Sequence, residues 1–195
     1  DDQEGWNGFN VLHTAAGRVG GLDVGFLPGE NGLDLAGVLS GAQDGSIETI
    51  LSLGADEIDT AKFGTAFVIY VGTHGDAGAH RADIILPAAT YTEKSATYVN
   101  TEGRVQRTQR AVGAKGEARE DWAIIRALSG YVGKTLPYDN IEALRAKLNE
   151  DAPVFLGRDF APPVDENTAP PPYGVAGDVG TDAFLSPVTS FYLTN

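Results

Sequence analysis

The 195-residue chain carries 14 basic and 27 acidic side chains, a net charge of −13, and has neither cysteine nor methionine. A surface this acidic repels phosphate backbones and anionic lipid, which argues against nucleic-acid binding and direct membrane insertion. Without thiols there is no disulfide, no thiolate nucleophile, no Cys-ligated zinc and no thiolate to hold an iron–sulfur cluster.

Apolar residues make up 42% of the chain, and the longest apolar run is Ala66–Val71. That run is far short of the ~18 residues needed to span a bilayer. The length suffices for one cored domain, or for a domain plus a tail. The absence of methionine, with Asp1 and Asn195 at the ends, reads as a segment of a longer polypeptide. Sixteen of the 25 glycines fall in residues 1–78 and seven of the ten prolines in residues 153–187. The expected organisation is therefore an α/β domain portion over 1–150 and an extended Pro-rich tail over 151–195.

Asn10–Val19 could form a short helix, followed by glycine-rich turns. Ser46–Leu53 is bounded by Asp44-Gly45 and Gly54, and suits a buried strand around Thr49–Leu53 or, nearly as well, a short helix. Ala66–Val71 is continuous, β-branched and aromatic, and stops at Gly72, as a parallel strand covered on both faces should. Asp83–Leu86 reads as a third strand, closed by Pro87. Short connections with helical potential separate the three, the pattern of a doubly wound α/β unit. With only three strands in view, part of the sheet is expected from elsewhere in a parent chain.

Ala96–Asn100 and Arg104–Thr108 flank Thr101-Glu102-Gly103, a β-hairpin pattern in which Gly103 can take positive φ. A helix over Arg119–Val132 starts with Glu120 and Asp121, ends at Gly133, and aligns Trp122, Ile125, Leu128 and Val132 on one face. A second has Asp139 as its cap, Glu142 as capping-box partner, and an apolar stripe of Ile141, Leu144 and Leu148. The tail has too many prolines for a long helix or a central strand, yet keeps Phe155, Phe160, Tyr173, Phe184, Phe191 and Tyr192. A strap with buried rings is expected, Phe191 and Tyr192 among them.

No candidate site matches its chemistry. Gly72-Thr73-His74-Gly75-Asp76-Ala77-Gly78 follows a strand, but its spacing is not that of a dinucleotide fingerprint, Asp76 would repel a pyrophosphate, and no Walker lysine follows. A tight strand-to-helix turn fits better. His74 and His80 stand six apart and share no helical face, so with Asp76 they make a poor metal site. Glu93-Lys94 and Glu102-Arg104 suit salt bridges holding the hairpin to the sheet better than a general acid and base. Catalytic, cofactor-binding and metal residues are therefore none.

One run carries more. Ala82-Asp83-Ile84-Ile85-Leu86-Pro87-Ala88-Ala89, then Glu93-Lys94, Ala96-Thr97 and Asn100-Thr101-Glu102-Gly103-Arg104-Val105-Gln106 resembles a stretch shared by molybdopterin-type oxidoreductases, formate dehydrogenases among them. The wider text is similar to the C-terminal third of the large iron–sulfur subunit of respiratory NADH:quinone oxidoreductase (complex I). It includes Trp6-Asn7-Gly8-Phe9-Asn10-Val11-Leu12-His13, Leu53-Gly54-Ala55-Asp56-Glu57, Thr73-His74-Gly75-Asp76, and Tyr91 through Arg104. Arg119-Glu120-Asp121-Trp122, Thr135-Leu136-Pro137-Tyr138, Ser186-Pro187 and Phe191-Tyr192-Leu193-Thr194-Asn195 complete it. The likeness covers nearly the whole chain and is weakest over 153–183.

The resemblance implies a partial, doubly wound molybdopterin-oxidoreductase-like domain that has lost its cofactor. The pattern agrees, since two helices and a Pro-rich tail leave too little β-sequence for the barrel a molybdenum enzyme would need. In that family cysteines in the N-terminal part hold the iron–sulfur clusters, so no cluster ligand carries over. The parent complex, which uses FMN and NADH, moves electrons to quinone. This segment's implied part is structural, beside other hydrophilic-arm subunits. Its implied location is peripheral, at the cytoplasmic face of a bacterial inner membrane or the matrix face of the mitochondrial one. The alternatives are the C-terminal end of an active molybdopterin oxidoreductase such as a formate dehydrogenase, and a stand-alone acidic interaction module.

Overall fold

A parallel sheet of three strands, β1 (Thr49–Leu53), β2 (Phe67–Gly72) and β3 (Ile84–Pro87), runs in the order β1-β2-β3. The computed structural model describes residues 13, 17–55, 57–157, 159, 177, 180–183 and 185. The Thr49–Leu53 segment is thus a strand, not a helix, and the other two strands lie one residue beyond the expected Ala66–Val71 and Asp83–Leu86. Backbone pairing explains the shift: Gly72 pairs with Pro87, and Ala88 N still donates to Gly72 O at 2.9 Å.

One face of this sheet is covered from within the chain. Leu35–Asp44 forms a helix, here α2, started by the Asp34 carboxylate, which accepts from Gly37 N at 2.8 Å. A 3-10 turn (Thr60–Phe63) links β1 to β2, and α3 (Ala77–Arg81) links β2 to β3. Ala42 of α2 and Phe63 of the turn bury Ile50, Ala66 and Val68 in one cluster. Gly78 of α3 lies against the Tyr70 ring. Val68 and Tyr70 point to the same side of β2, because side chains alternate along a strand. Helix α2 and both connections therefore cover the same face. Strand order without a reversal requires this, since crossovers of one hand that advance in one direction return along one side.

On the other face the expectation that β2 is covered on both sides holds at Val71, which is fully buried, and fails at the start of the strand. Phe67 is 45% exposed, and beside it Leu51 and Ile84 are each 44% exposed and Leu53 is 49% exposed. Val71 on this same face is fully buried and Ile69 half-buried, while Ile85, beside Tyr70 on the other face, is 51% exposed, so neither face is covered evenly.

A helix precedes the sheet, and of the expected Asn10–Val19 it includes Arg18 and Val19. Arg18–Asp23 forms α1, running through Gly20 and Gly21 where turns were expected. Gly20 sits against Val99 of the hairpin, so tertiary contact holds a helix that propensity alone does not favour. Residues 10–12 and 14–16 lie outside the described residues.

The hairpin forms as expected. Strands β4 (Thr97–Val99) and β5 (Val105–Arg107) pair antiparallel, with Val99 opposite Val105 and both buried. Gly103 has φ +80°, where a side chain would be strained, and its N–H donates to Asn100 O at 3.0 Å. Val99 and Val105 make a second small core with Ala152 and Phe155, packed by Val19 and Leu148.

Helix α4 spans Asp121–Tyr131, two residues later at its start than expected, and α5 spans Ile141–Asp151. Of the expected apolar face of α4, Trp122, Ile125 and Leu128 are half-buried and Val132 is exposed, while the buried residue is Ser129. Ser129 Oγ donates to Arg126 O (2.6 Å) and accepts from Leu136 N (3.0 Å), pinning the turn after the helix.

The expected cap of α5 is also corrected. Asn140, not Asp139, accepts from Ala143 N at 2.8 Å, because the Asp139 carboxylate is taken by Arg126 Nη2 at 2.6 Å. After α5 a 3-10 turn (Pro153–Leu156) buries Phe155, so the first residues of the Pro-rich stretch are packed. Asp159 N then donates to Val105 O at 2.7 Å. Phe160, Tyr173, Phe184, Phe191 and Tyr192 lie outside the described residues.

Candidate functional site

In an open parallel sheet, ligands are held at the carboxyl ends of the strands where strand order reverses. The order β1-β2-β3 contains no such reversal. The loop leaving each strand end decides what can be held there.

After β2, the glycine-rich loop serves its own fold. A methyl group at Gly72 or Gly78 would collide with the fully buried Tyr70 ring, so both glycines make room for that ring. Tyr70 OH donates to Asp76 Oδ2 at 3.1 Å, and Asp76 Oδ1 accepts from Ala79 N at 3.3 Å, capping α3. Asp76 is thus a cap and an anchor, as expected of a tight strand-to-helix turn. His74 is exposed, within 2.8 Å of Thr73 Oγ1 through Nδ1, and His80 is exposed on α3. Among the described residues no three His, Asp or Glu side chains converge on a point.

After β3, the chain is laced to the start of α4. Arg119 N donates to Pro87 O (3.0 Å) and Ala89 N to Arg119 O (2.8 Å), leaving Ala88 and Ala89 buried. Glu93, 7% exposed, accepts from Thr90 N through Oε2 at 3.2 Å. Lys94 Nζ meets Asp121 Oδ2 at 2.5 Å. This corrects the expected bridges from hairpin to sheet. Lys94 ties the approach to the hairpin to α4, and Glu93 closes a local turn.

Glu102 and Arg104 pair at 2.7 Å across the hairpin turn itself. Hydrogen bonds from Arg104 and Asn100, together with the Arg104 charge, hold the Glu102 carboxyl below its ordinary value. Arg104 Nη1 also donates to Asp159 O at 2.7 Å, so this cluster fastens the turn to the segment after α5.

Between hairpin, α4 and α5 lies a cleft of about 420 Å3, walled by Lys94, Tyr98, Trp122, Ile141, Leu144 and Leu148. Two of its charged groups are already engaged. Lys94 is paired with Asp121, and the Glu120 carboxylate accepts from Trp122 Nε1 at 2.8 Å. Arg145 Nε and Nη2 are sealed from solvent without a hydrogen-bond partner, as is Asn149 Oδ1 one turn along α5.

The run from Ala82 to Gln106 is therefore an architectural seam, joining sheet, hairpin and α4. The sequence model of the molybdopterin oxidoreductase family matches residues 1–131, which include that seam. The chain belongs to this family.

Within the family, the chain is 43% identical over 198 aligned positions to the mitochondrial NADH-ubiquinone oxidoreductase 78 kDa subunit of Candida albicans, covering 97% of this chain and 26% of that protein. It is 44% identical over 195 positions to the NADH-ubiquinone oxidoreductase 75 kDa subunit of Reclinomonas americana, covering 97% and 27%. Against the mitochondrial NADH dehydrogenase [ubiquinone] iron-sulfur protein 1 of Solanum tuberosum it is 40% identical over 194 positions, covering 97% and 24%. The chain spans about a quarter of the length of these curated relatives.

The described strand ends do not fit the pterin group that gives the family its name. The loop after β2 is filled by Tyr70 and presents the Asp76 carboxylate, and the loop after β3 is sealed onto Arg119. Nor is any helix among the described residues long and apolar enough to cross a membrane.

Proposed function

We propose that this chain is a structural segment, from the C-terminal third, of the large iron–sulfur subunit of a respiratory NADH:quinone oxidoreductase. The observation that carries this reading is the likeness to the 75 and 78 kDa subunits, which runs over 97% of the chain. These relatives favour it over a formate dehydrogenase. The parent complex transfers electrons from NADH to quinone. FMN and the iron–sulfur clusters belong to other parts of it, and the zero cysteine count gives this segment no cluster thiolate. The three-stranded sheet is one portion of a doubly wound domain over 1–150. The tail, 151–195, straps that domain to neighbouring hydrophilic-arm subunits. The assembly is peripheral, at the matrix or the bacterial cytoplasmic face.

The test is purification from native membranes through an affinity tag on the polypeptide that contains this chain. Co-purification of NADH:quinone reductase activity and iron, without molybdenum, is the expected result. Formate-dependent dye reduction with stoichiometric molybdenum would refute it. Residues 1–195 alone should hold no stoichiometric iron, molybdenum or zinc and should not oxidise NADH.

A further inference from the structure

We infer that the cleft between the hairpin, α4 and α5 receives an extended segment of a neighbouring subunit, which seats one Asp or Glu carboxylate on the Arg145 guanidinium. This deepens the proposed function and rests on its reading of the chain as one part of a multisubunit assembly.

Arg145 supplies the recognition chemistry. Its two unpartnered donors, Nε and Nη2, are the pair whose N–H bonds lie parallel along one edge of the guanidinium. That edge is the fork that matches the two oxygens of a carboxylate. A charged donor stripped of water and given no acceptor is costly, so a carboxylate that reaches it is held more firmly than one at the surface. The charges nearby do not serve it. Lys94 holds Asp121, Glu120 accepts from Trp122 Nε1, and Glu142, one turn earlier on α5, is exposed. Arg145 is half-buried and also lines an adjoining hollow of about 530 Å3 beside Arg110. Rotation of its long side chain therefore carries the fork from its sealed position into the cleft.

The strand beside the cleft identifies a peptide as the occupant. Thr108 N donates to Ala96 O (2.9 Å) and Asn100 N to Arg104 O (3.1 Å), so Ala96, Tyr98 and Asn100 turn their backbone groups towards β5. Thr97 and Val99 turn theirs outward, and among the described residues no strand pairs with that edge. Thr97 and Arg145 line the same cleft. An added strand satisfies the edge with its backbone and the fork with a side chain. The apolar walls of Trp122, Ile141, Leu144 and Leu148 take the residues flanking that carboxylate. A segment rich in acid would be repelled by the chain's charge of −13, as would a second copy of this chain. Within the tail, Thr181, Asp182 and Leu185 are exposed, so this stretch and its carboxylate lie outside the cleft.

The experiment starts with photo-cross-linking of Tyr98→p-benzoylphenylalanine in the natural-length polypeptide within its native complex. The expected cross-link ends in a different subunit, within a few residues of an Asp or Glu. A synthetic peptide spanning that segment is then titrated onto the natural-length polypeptide by fluorescence anisotropy. Replacing the peptide's carboxylate by an amide should raise Kd roughly tenfold, Arg145→Leu should do the same, and the two together should cost little more than either. The altered peptide leaves this chain untouched, so its result stands even where Arg145→Leu disturbs α5. A cross-link that stays within the same polypeptide, ends in a second copy or fails to form overturns the inference. So does equal binding of the amide peptide. Loss of iron or of quinone reductase activity from the purified complex would count against the proposed function and leave the peptide titration standing.

Discussion

Lys94 and Asp121, 27 positions apart in sequence, meet at 2.5 Å and fasten the approach to the hairpin onto the first turn of α4. The carboxylate also sits where the helix dipole favours a negative charge. Both side chains are mostly shielded, which makes this pair stronger than an exposed one. Lys94→Ala should cost about 1–2 kcal/mol of stability, and a double-mutant cycle with Asp121→Ala should return a coupling of similar size. A coupling near zero in chemical denaturation would show the pair to be incidental.

The glycines around Tyr70 make a second prediction. If Gly72 and Gly78 serve the ring and not a ligand, Gly78→Ala should destabilise the ligand-free protein by about 1–3 kcal/mol through overpacking. Shrinking the ring in the double variant Gly78→Ala/Tyr70→Leu should recover part of that loss relative to the sum of the singles. Additive effects in urea denaturation would contradict the fit.

At the hairpin turn, Gly103 holds φ +80°. Gly103→Val should cost about 1–2 kcal/mol, because a β-branched residue is strained there. Gly103→Asn should cost less, since Asn tolerates the left-handed region. Equal thermal midpoints for the two variants would count against the strain argument.

The Glu102 carboxyl is held below its ordinary value, first by the hydrogen bond from Arg104. A carboxyl whose folded value is depressed stabilises the fold above its unfolded value and loses that contribution as pH falls through the folded one. Protection of the turn should therefore be constant near neutrality and decline only in the acid range, below where a free glutamate titrates. In Glu102→Gln that acid decline should be absent. An NMR titration of Glu102 with the midpoint of an unstructured peptide would refute it.

The tail prediction concerns residues 184–195, where Phe191 and Tyr192 are expected to anchor the strap in the assembled enzyme. Deleting that stretch should weaken incorporation of the subunit into the hydrophilic arm while its iron content stays normal, because aromatic anchors commonly contribute about 2 kcal/mol or more each. Native gels of the deletion strain decide between this and normal assembly.

Composition and local pattern alone determined much of this protein. The lack of cysteine ruled out thiolate chemistry, the β-branched runs marked β2 and β3 to within one residue, while Thr49–Leu53 stayed open between strand and helix, and Gly103 marked the hairpin turn. These are properties of neighbouring residues, so they are legible in one dimension. The functional reading was legible for another reason, since it rested on motifs spread along the chain.

Tertiary structure decided what depends on competition between distant groups. Arg126 drew Asp139 away from capping α5, so Asn140 took that place. Burial of Ala42 against Phe63 and Val68 held α2 together, although Gly37 and Gly41 weaken its helical pattern. The Tyr70 ring, filling the space above Gly72 and Gly78, turned a loop that could have cradled a phosphate into a packing joint. The sheet face around Phe67 shows the same limit, because a run of apolar residues does not state which of its positions the fold will cover.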